Sequence, residues 1–213
     1  MDFTKLQNNI SSGMGAFANN KYIKAVSNGM VFIMTPIIIG SIFTLLGNIP
    51  INGYSDYLSA HGISQILNLA SNFTTNIMAI LTVFTVSYSL AKEFKKNASD
   101  SAMAGLLSII GFFIVTPLSQ TKIDNVLTDY VSFDWIGEKG LFVAIIIGLL
   151  TSRIYIYCLD KGFTIKMPKG VPPAVSSSFA ALIPGFTIAI LSLIIAAVFK
   201  LTPYGSLDQL IYT

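Results

Sequence analysis

The chain has 213 residues, of which 53% are apolar and 11% charged, with a mean hydropathy of +0.70 and a formal net charge of +3. That balance excludes an ordinary water-soluble domain of this size. A net charge this small carries no argument for a nucleic-acid partner, and none is expected.

Taken in order, the chain first shows Phe3, Leu6, Ile10, Met14 and Phe17 at helical spacing, with Asn, Gln, Ser and Lys between them. This spacing predicts an amphipathic helix lying in the membrane interface, within an N-terminal interfacial segment 1–24. Gly13 and Gly15 weaken that helix. No small-residue cleavage site follows a short apolar region, so no cleavable leader is expected.

Charge-free runs then cover residues 25–55, 57–91, 101–121 and 170–199. Each can hold a helix crossing a hydrocarbon core of roughly 30 Å. The first predicted span is 26–46, with Pro36 inside it, where membrane helices tolerate proline by kinking. Residues 48–73, with Gly53, Asp56, His61 and Gly62, read as a polar connector. The second span, 74–91, stops at Lys92, Glu93, Lys95 and Lys96. The third, 102–118, ends at Pro117 and carries Ser101, Ala104, Gly105 and Ser108, small residues that permit close helix approach. Residues 120–139 read as a polar loop containing Asp124, Asp129, Asp134, Trp135 and Glu138. The fourth span is 141–159, with Arg153 near its end.

A stiff, basic, proline-cornered connector follows: Lys166, Met167, Pro168, Lys169, Gly170, Val171, Pro172 and Pro173. Proline fixes φ and lacks a donor, so Pro172 and Pro173 suit the first positions of a new helix. That helix carries the fifth span, 179–198, where Pro184 is expected to kink rather than break it. Residues 201–213 turn at Pro203 and Gly205 and begin an amphipathic element that reads as unfinished. The expected fold is an all-α integral membrane protein of about five spans over 25–200.

Alternating the connectors puts Lys5, Lys21, Lys24, Lys92, Lys95, Lys96, Arg153, Lys161, Lys166 and Lys169 on one side, and Lys122, Lys139 and Lys200 on the other. Ten cations against three predict a cytoplasmic N-terminus, a cytoplasmic proline-rich connector and an external loop around Trp135. No span interior carries an ionisable residue, which argues against proton coupling within this segment. With one His and one Cys, no nucleophilic triad or cysteine-rich metal site can be built. His61 reads as a loop residue, and Cys158 as a buried, inert thiol. No glycine-rich phosphate loop is present. No catalytic residue, cofactor or metal is therefore expected. The connector 166–173 is the candidate site, as orientation charge or as a contact for acidic lipid or a cytosolic partner.

The run from Ile165 to Gly185, Ile-Lys-Met-Pro-Lys-Gly-Val-Pro-Pro-Ala-Val-Ser-Ser-Ser-Phe-Ala-Ala-Leu-Ile-Pro-Gly, resembles the cytoplasmic-loop motif of a known family. That family is the membrane subunit IIC of the sugar phosphotransferase system, lactose/cellobiose type. Lys24 to Phe43 and Tyr88 to Lys95 are similar to its early spans, in the same order. Lys169 departs from the acidic residue usual in the family. The resemblance implies a multi-pass permease of the bacterial cytoplasmic membrane. Such a subunit carries a β-linked disaccharide of cellobiose, chitobiose or lactose type, which a cytosolic IIB partner, served by IIA, phosphorylates. It also implies that this chain is the N-terminal scaffold and homodimer half of a subunit about twice as long. The sugar-contacting His and Glu would then belong to the later half, and no sugar-binding residue can be assigned here. The alternative is a non-transporting membrane assembly protein or a decayed gene product.

Overall fold

The computed structural model describes residues 15, 17–123, 126–168, 170–203 and 205–212. The expected interfacial helix over 2–17 lies almost wholly outside the described residues, as does Lys169.

The first span is α1, Lys21–Gly47. Asn20 starts it, its side-chain oxygen accepting from the Tyr22 backbone N–H at 2.9 Å. The helix runs unbroken through Pro36.

The connector expected over 48–73 is instead largely helical. It holds α2 (Tyr54–Ala60) and α3 (Ile63–Thr75), and α3 runs almost directly into α4 (Met78–Glu93). Together α3 and α4 form one apolar stretch of 31 residues, Ile63–Glu93. Polar residues concealed it from a hydropathy reading, but their hydroxyls turn back onto the helix. Thr74 donates to the Ala70 carbonyl at 2.9 Å and Thr75 to that of Ser71 at 2.8 Å. Thr44 of α1 and Ser71 pair through their hydroxyls at 2.7 Å. Asn76 closes α3, its N–H donating to the Asn72 carbonyl.

The third span is α5, Ala98–Val115, capped by Asn97, whose side chain accepts from the Asp100 N–H at 2.8 Å. The segment read as a polar loop then forms an antiparallel hairpin, β1 (Ser119–Ile123) with β2 (Val126–Tyr130), and a short α6 (Phe133–Ile136). Ser119 pairs with Tyr130 and Gln120 with Asp129. The Gln120 amide donates to the Asp129 carboxylate across the strands at 2.8 Å.

The fourth span is α7, Leu141–Lys161. Gly162, at φ 73°, ends it in the left-handed conformation while the Phe163 N–H returns to the Cys158 carbonyl. After the connector, α8 begins at Pro173 with Pro172 as its cap, as the prolines require. It runs to Ala180, and α9 spans Leu182–Lys200. The two are separated only at Ala181, whose φ and ψ stay helical (−78°, −12°). Pro184 cannot donate to the carbonyl four residues back, that of Ala180, which accounts for the interruption there. A final helix, α10, covers Leu207–Tyr212.

Helix α4 is the central pillar: it packs against α1, α5 and α7. Its Ala79, Val83, Val86, Leu90 and Ala91 are buried. Small residues let the neighbours close in, and serine hydroxyls tie them to it. Ser87 donates to the Ala104 carbonyl of α5 at 2.9 Å, and Ser108 of α5 to the Val83 carbonyl at 3.1 Å. Ser152 of α7 donates to the Ser87 carbonyl at 2.9 Å. Interhelical bonds of this kind hold spans together where lipid removes any hydrophobic drive between them.

Candidate functional site

One end of the bundle gathers the cations. The C-terminus of α4 is closed by Lys95 at positive φ (59°), with the Lys96 N–H donating to the Ala91 carbonyl at 3.0 Å. This turn presents Phe94 to both neighbouring spans. Lys21, from the start of α1, places its ammonium 4.3 Å from the Phe94 ring centroid. Arg153 of α7 places its guanidinium 4.9 Å from the same centroid. Each interaction draws on the ring's negative face. Tyr22 meets the ring edge-on. Lys96 pairs with Asp160 of α7. Lys92 lies over Tyr88 and Lys161 over Tyr157. Cations predicted to share one side from three separate stretches thus meet at one end of the fold.

The connector 166–173 leaves from this same end. Lys166, Pro168 and Pro172 are exposed and Met167 and Val171 half-buried. Gly170 has φ 105°, a conformation that excludes other residues without strain. Pro173 opens α8, and Ser177 one turn on donates to the Asp100 carboxylate of α5 at 3.0 Å. The Asp100 carboxylate also accepts from the side-chain amide of Asn97, the residue that caps α5. The described connector residues thus lead into a helix whose first turn is fastened to α5.

At the opposite end, Lys139 pairs with Asp134 at 3.1 Å and lies over the Trp135 ring. His61 is exposed at the end of α2, with Nδ1 2.8 Å from the Tyr57 carbonyl and its ring against Tyr57. These are local contacts within one helical turn. Cys158 is buried and free. Among the described residues, no three His, Cys, Asp or Glu side chains come together in a way that could hold a metal ion.

Asp208 was not legible in the sequence. It is fully buried in α10, and neither carboxylate oxygen has a hydrogen-bond partner among the described residues. Burial pushes its pKa up to about 7. The only signal was an Asp set between Leu207 and Leu210 in a short amphipathic run.

Among the described residues, five apolar helices, closely packed through small residues and carrying one basic end, define a multi-pass α-helical membrane protein. Residues 27–212 match the model of the phosphotransferase system EIIC family, and the chain belongs to that family. It is 34% identical to the putative permease IIC component YwbA of Bacillus subtilis (strain 168), over 98% of this chain and 49% of that protein. It is 31% identical to the cellobiose-specific EIIC component of Geobacillus stearothermophilus, over 97% of this chain and 47% of that protein. The crystal structure of the transporter ChbC, the IIC component from the N,N'-diacetylchitobiose-specific phosphotransferase system, superposes with a TM-score of 0.86 at 35% identity, covering 97% of this chain and 49% of that one. The chain spans about half the length of the relatives it matches. It is a multi-pass protein of the bacterial cytoplasmic membrane.

Proposed function

We propose that this chain is the scaffold half of a sugar permease, working with a sugar-contacting half to carry a β-linked disaccharide across the membrane for phosphorylation by a IIB partner. The observation that carries this reading is the likeness, over 97% of the chain, to a IIC transporter named for N,N'-diacetylchitobiose. A cellobiose-specific relative points to the same sugar class. The chemistry of the spans agrees with a scaffold role. Most of their buried polar groups are serine and threonine hydroxyls spent on helix carbonyls, with the Ser89 and Tyr155 hydroxyls the buried exceptions among the described residues, which leaves few free donors to grip a sugar. The basic end faces the cytosol under the positive-inside rule, so the connector 166–173 lies where IIB would approach. The exposed apolar side of α1, with Val31, Met34, Ile38 and Leu45, is the surface for a homodimer.

Equilibrium binding of cellobiose and N,N'-diacetylchitobiose to the purified chain tests the division of labour. The chain alone is expected to bind neither. Co-expression with the sugar-contacting half of a relative is expected to restore phosphorylation-dependent uptake. Saturable disaccharide binding by the 213-residue chain itself would contradict the scaffold assignment.

A further inference from the structure

Arg153 lies at the basic end, eight residues before α7 stops and level with Phe94 at the close of α4 and Lys21 at the start of α1. A guanidinium at a membrane interface is suited to meet an anion. Phe94 receives one side of it, but a ring face supplies no counter-charge. The ion pairs among the described residues are Lys96 with Asp160 and Lys139 with Asp134, so neither Arg153 nor Lys161 has a carboxylate partner there.

Beside Arg153, a groove of about 470 Å³ opens between α7 and α9. Its walls are Ile154 and Tyr157 of α7 against Ile183 and Thr187 of α9, and Phe163 closes the end toward the connector. Thr187 turns its hydroxyl back to the Ile183 carbonyl at 3.0 Å, which makes that wall apolar. Tyr157, Phe163 and Ile183 are exposed. Arg153, Tyr157 and Lys161 follow one another at four-residue spacing and so share one face of α7. Lys161 sits over the Tyr157 ring. Asp160, the nearest acid in sequence, is neutralised by Lys96. The apolar cleft therefore carries the uncompensated Arg153 on its wall, with Lys161 beside it over the Tyr157 ring. Basic pockets between spans are suited to anionic headgroups.

We propose that this groove binds one anionic phospholipid, its phosphate held by Arg153 and Lys161 and an acyl chain lying along Ile154, Ile183 and Thr187. This site rests on the five-span fold and is independent of the sugar reading.

The test is native mass spectrometry of the chain released from nanodiscs containing equal phosphatidylglycerol and phosphatidylcholine. The parent is expected to retain one phosphatidylglycerol in preference to phosphatidylcholine. Each cation near the surface contributes about fivefold in affinity, so R153Q and K161Q should each reduce that preference by about that factor, and the double variant by about 25-fold. T187W, which fills the groove and leaves both cations, should abolish retention of either lipid. K139Q, at the opposite end, should change nothing. If R153Q fails to fold, K161Q and T187W still decide the matter. No headgroup preference in the parent overturns the site. So does a preference that survives T187W, because the basic end would then attract anionic lipid without a groove.

Discussion

Gly29 of α1 lies directly against Val86 of α4: a Cβ built on Gly29 would stand 2.7 Å from Val86 Cγ2 and 2.8 Å from Val86 Cα. This span contact is thus made by a residue without a side chain against the backbone of the central pillar. Gly185 differs, because a Cβ there meets only the flexible tip of Leu107 at 3.0 Å. Gly29→Ala is expected to force α1 away from α4 at a cost of about 1–3 kcal/mol, read by denaturant titration in detergent. Gly185→Ala should change stability by less than about 0.5 kcal/mol. Equal effects would mean that α1 is free to shift outward and that the contact is not tight.

The serine ties give a second expectation. Ser87 donates to α5 while its own carbonyl accepts from Ser152 of α7, so the two bonds use different groups of one residue. Ser87→Ala and Ser152→Ala should each cost about 0.6 kcal/mol, the scale of interhelical bonds in membranes. The double variant should be close to additive in the same unfolding assay. Strong coupling would show that losing either bond moves α4 as a whole.

Much of the fold could be read from residue order because lipid imposes length and charge rules on every span. The stops at Lys92–Lys96 and the helix start at Pro172–Pro173 fall where local chemistry puts them. Helix α3 escapes a hydropathy reading because Ser64, Gln65, Asn68, Ser71 and Asn72 dilute it; Ser71 pairs with Thr44 of α1 and Asn72 with Asn76, contacts that no local pattern encodes. The hairpin was missed because strands of five residues, one reading Ser-Gln-Thr-Lys-Ile, carry almost no apolar alternation. At the basic end the lysines and Arg153 were visible, but their meeting on Phe94 joins residues 21, 94 and 153. No local pattern encodes that. The burial of Asp208 is equally non-local.

Asp208 makes α10 sensitive to pH. Its pKa in the fold, about 7, stands above the ordinary carboxyl value of 3.8. A raised acid favours the fold while protonated, so its stabilisation is complete below about pH 4 and lost as pH rises through 7. Hydrogen–deuterium exchange of residues 207–212, corrected for intrinsic rates, should show protection falling over that window. Asp208→Asn should hold protection level to pH 8, a difference of up to about 4 kcal/mol from the shift in the carboxyl. A flat profile in the parent would mean that the carboxylate finds a partner or water.

On the orientation proposed above, the cation-rich end of this five-span bundle lies on one side of the membrane and faces the cytosol. Single cysteines at Lys95, Lys166 and Lys122, each in a Cys158→Ala background, can be labelled in intact cells with an impermeant maleimide. Lys122→Cys is expected to react from outside, and Lys95→Cys and Lys166→Cys only after the cells are opened. Labelling of Lys95→Cys and Lys166→Cys from opposite compartments would contradict it.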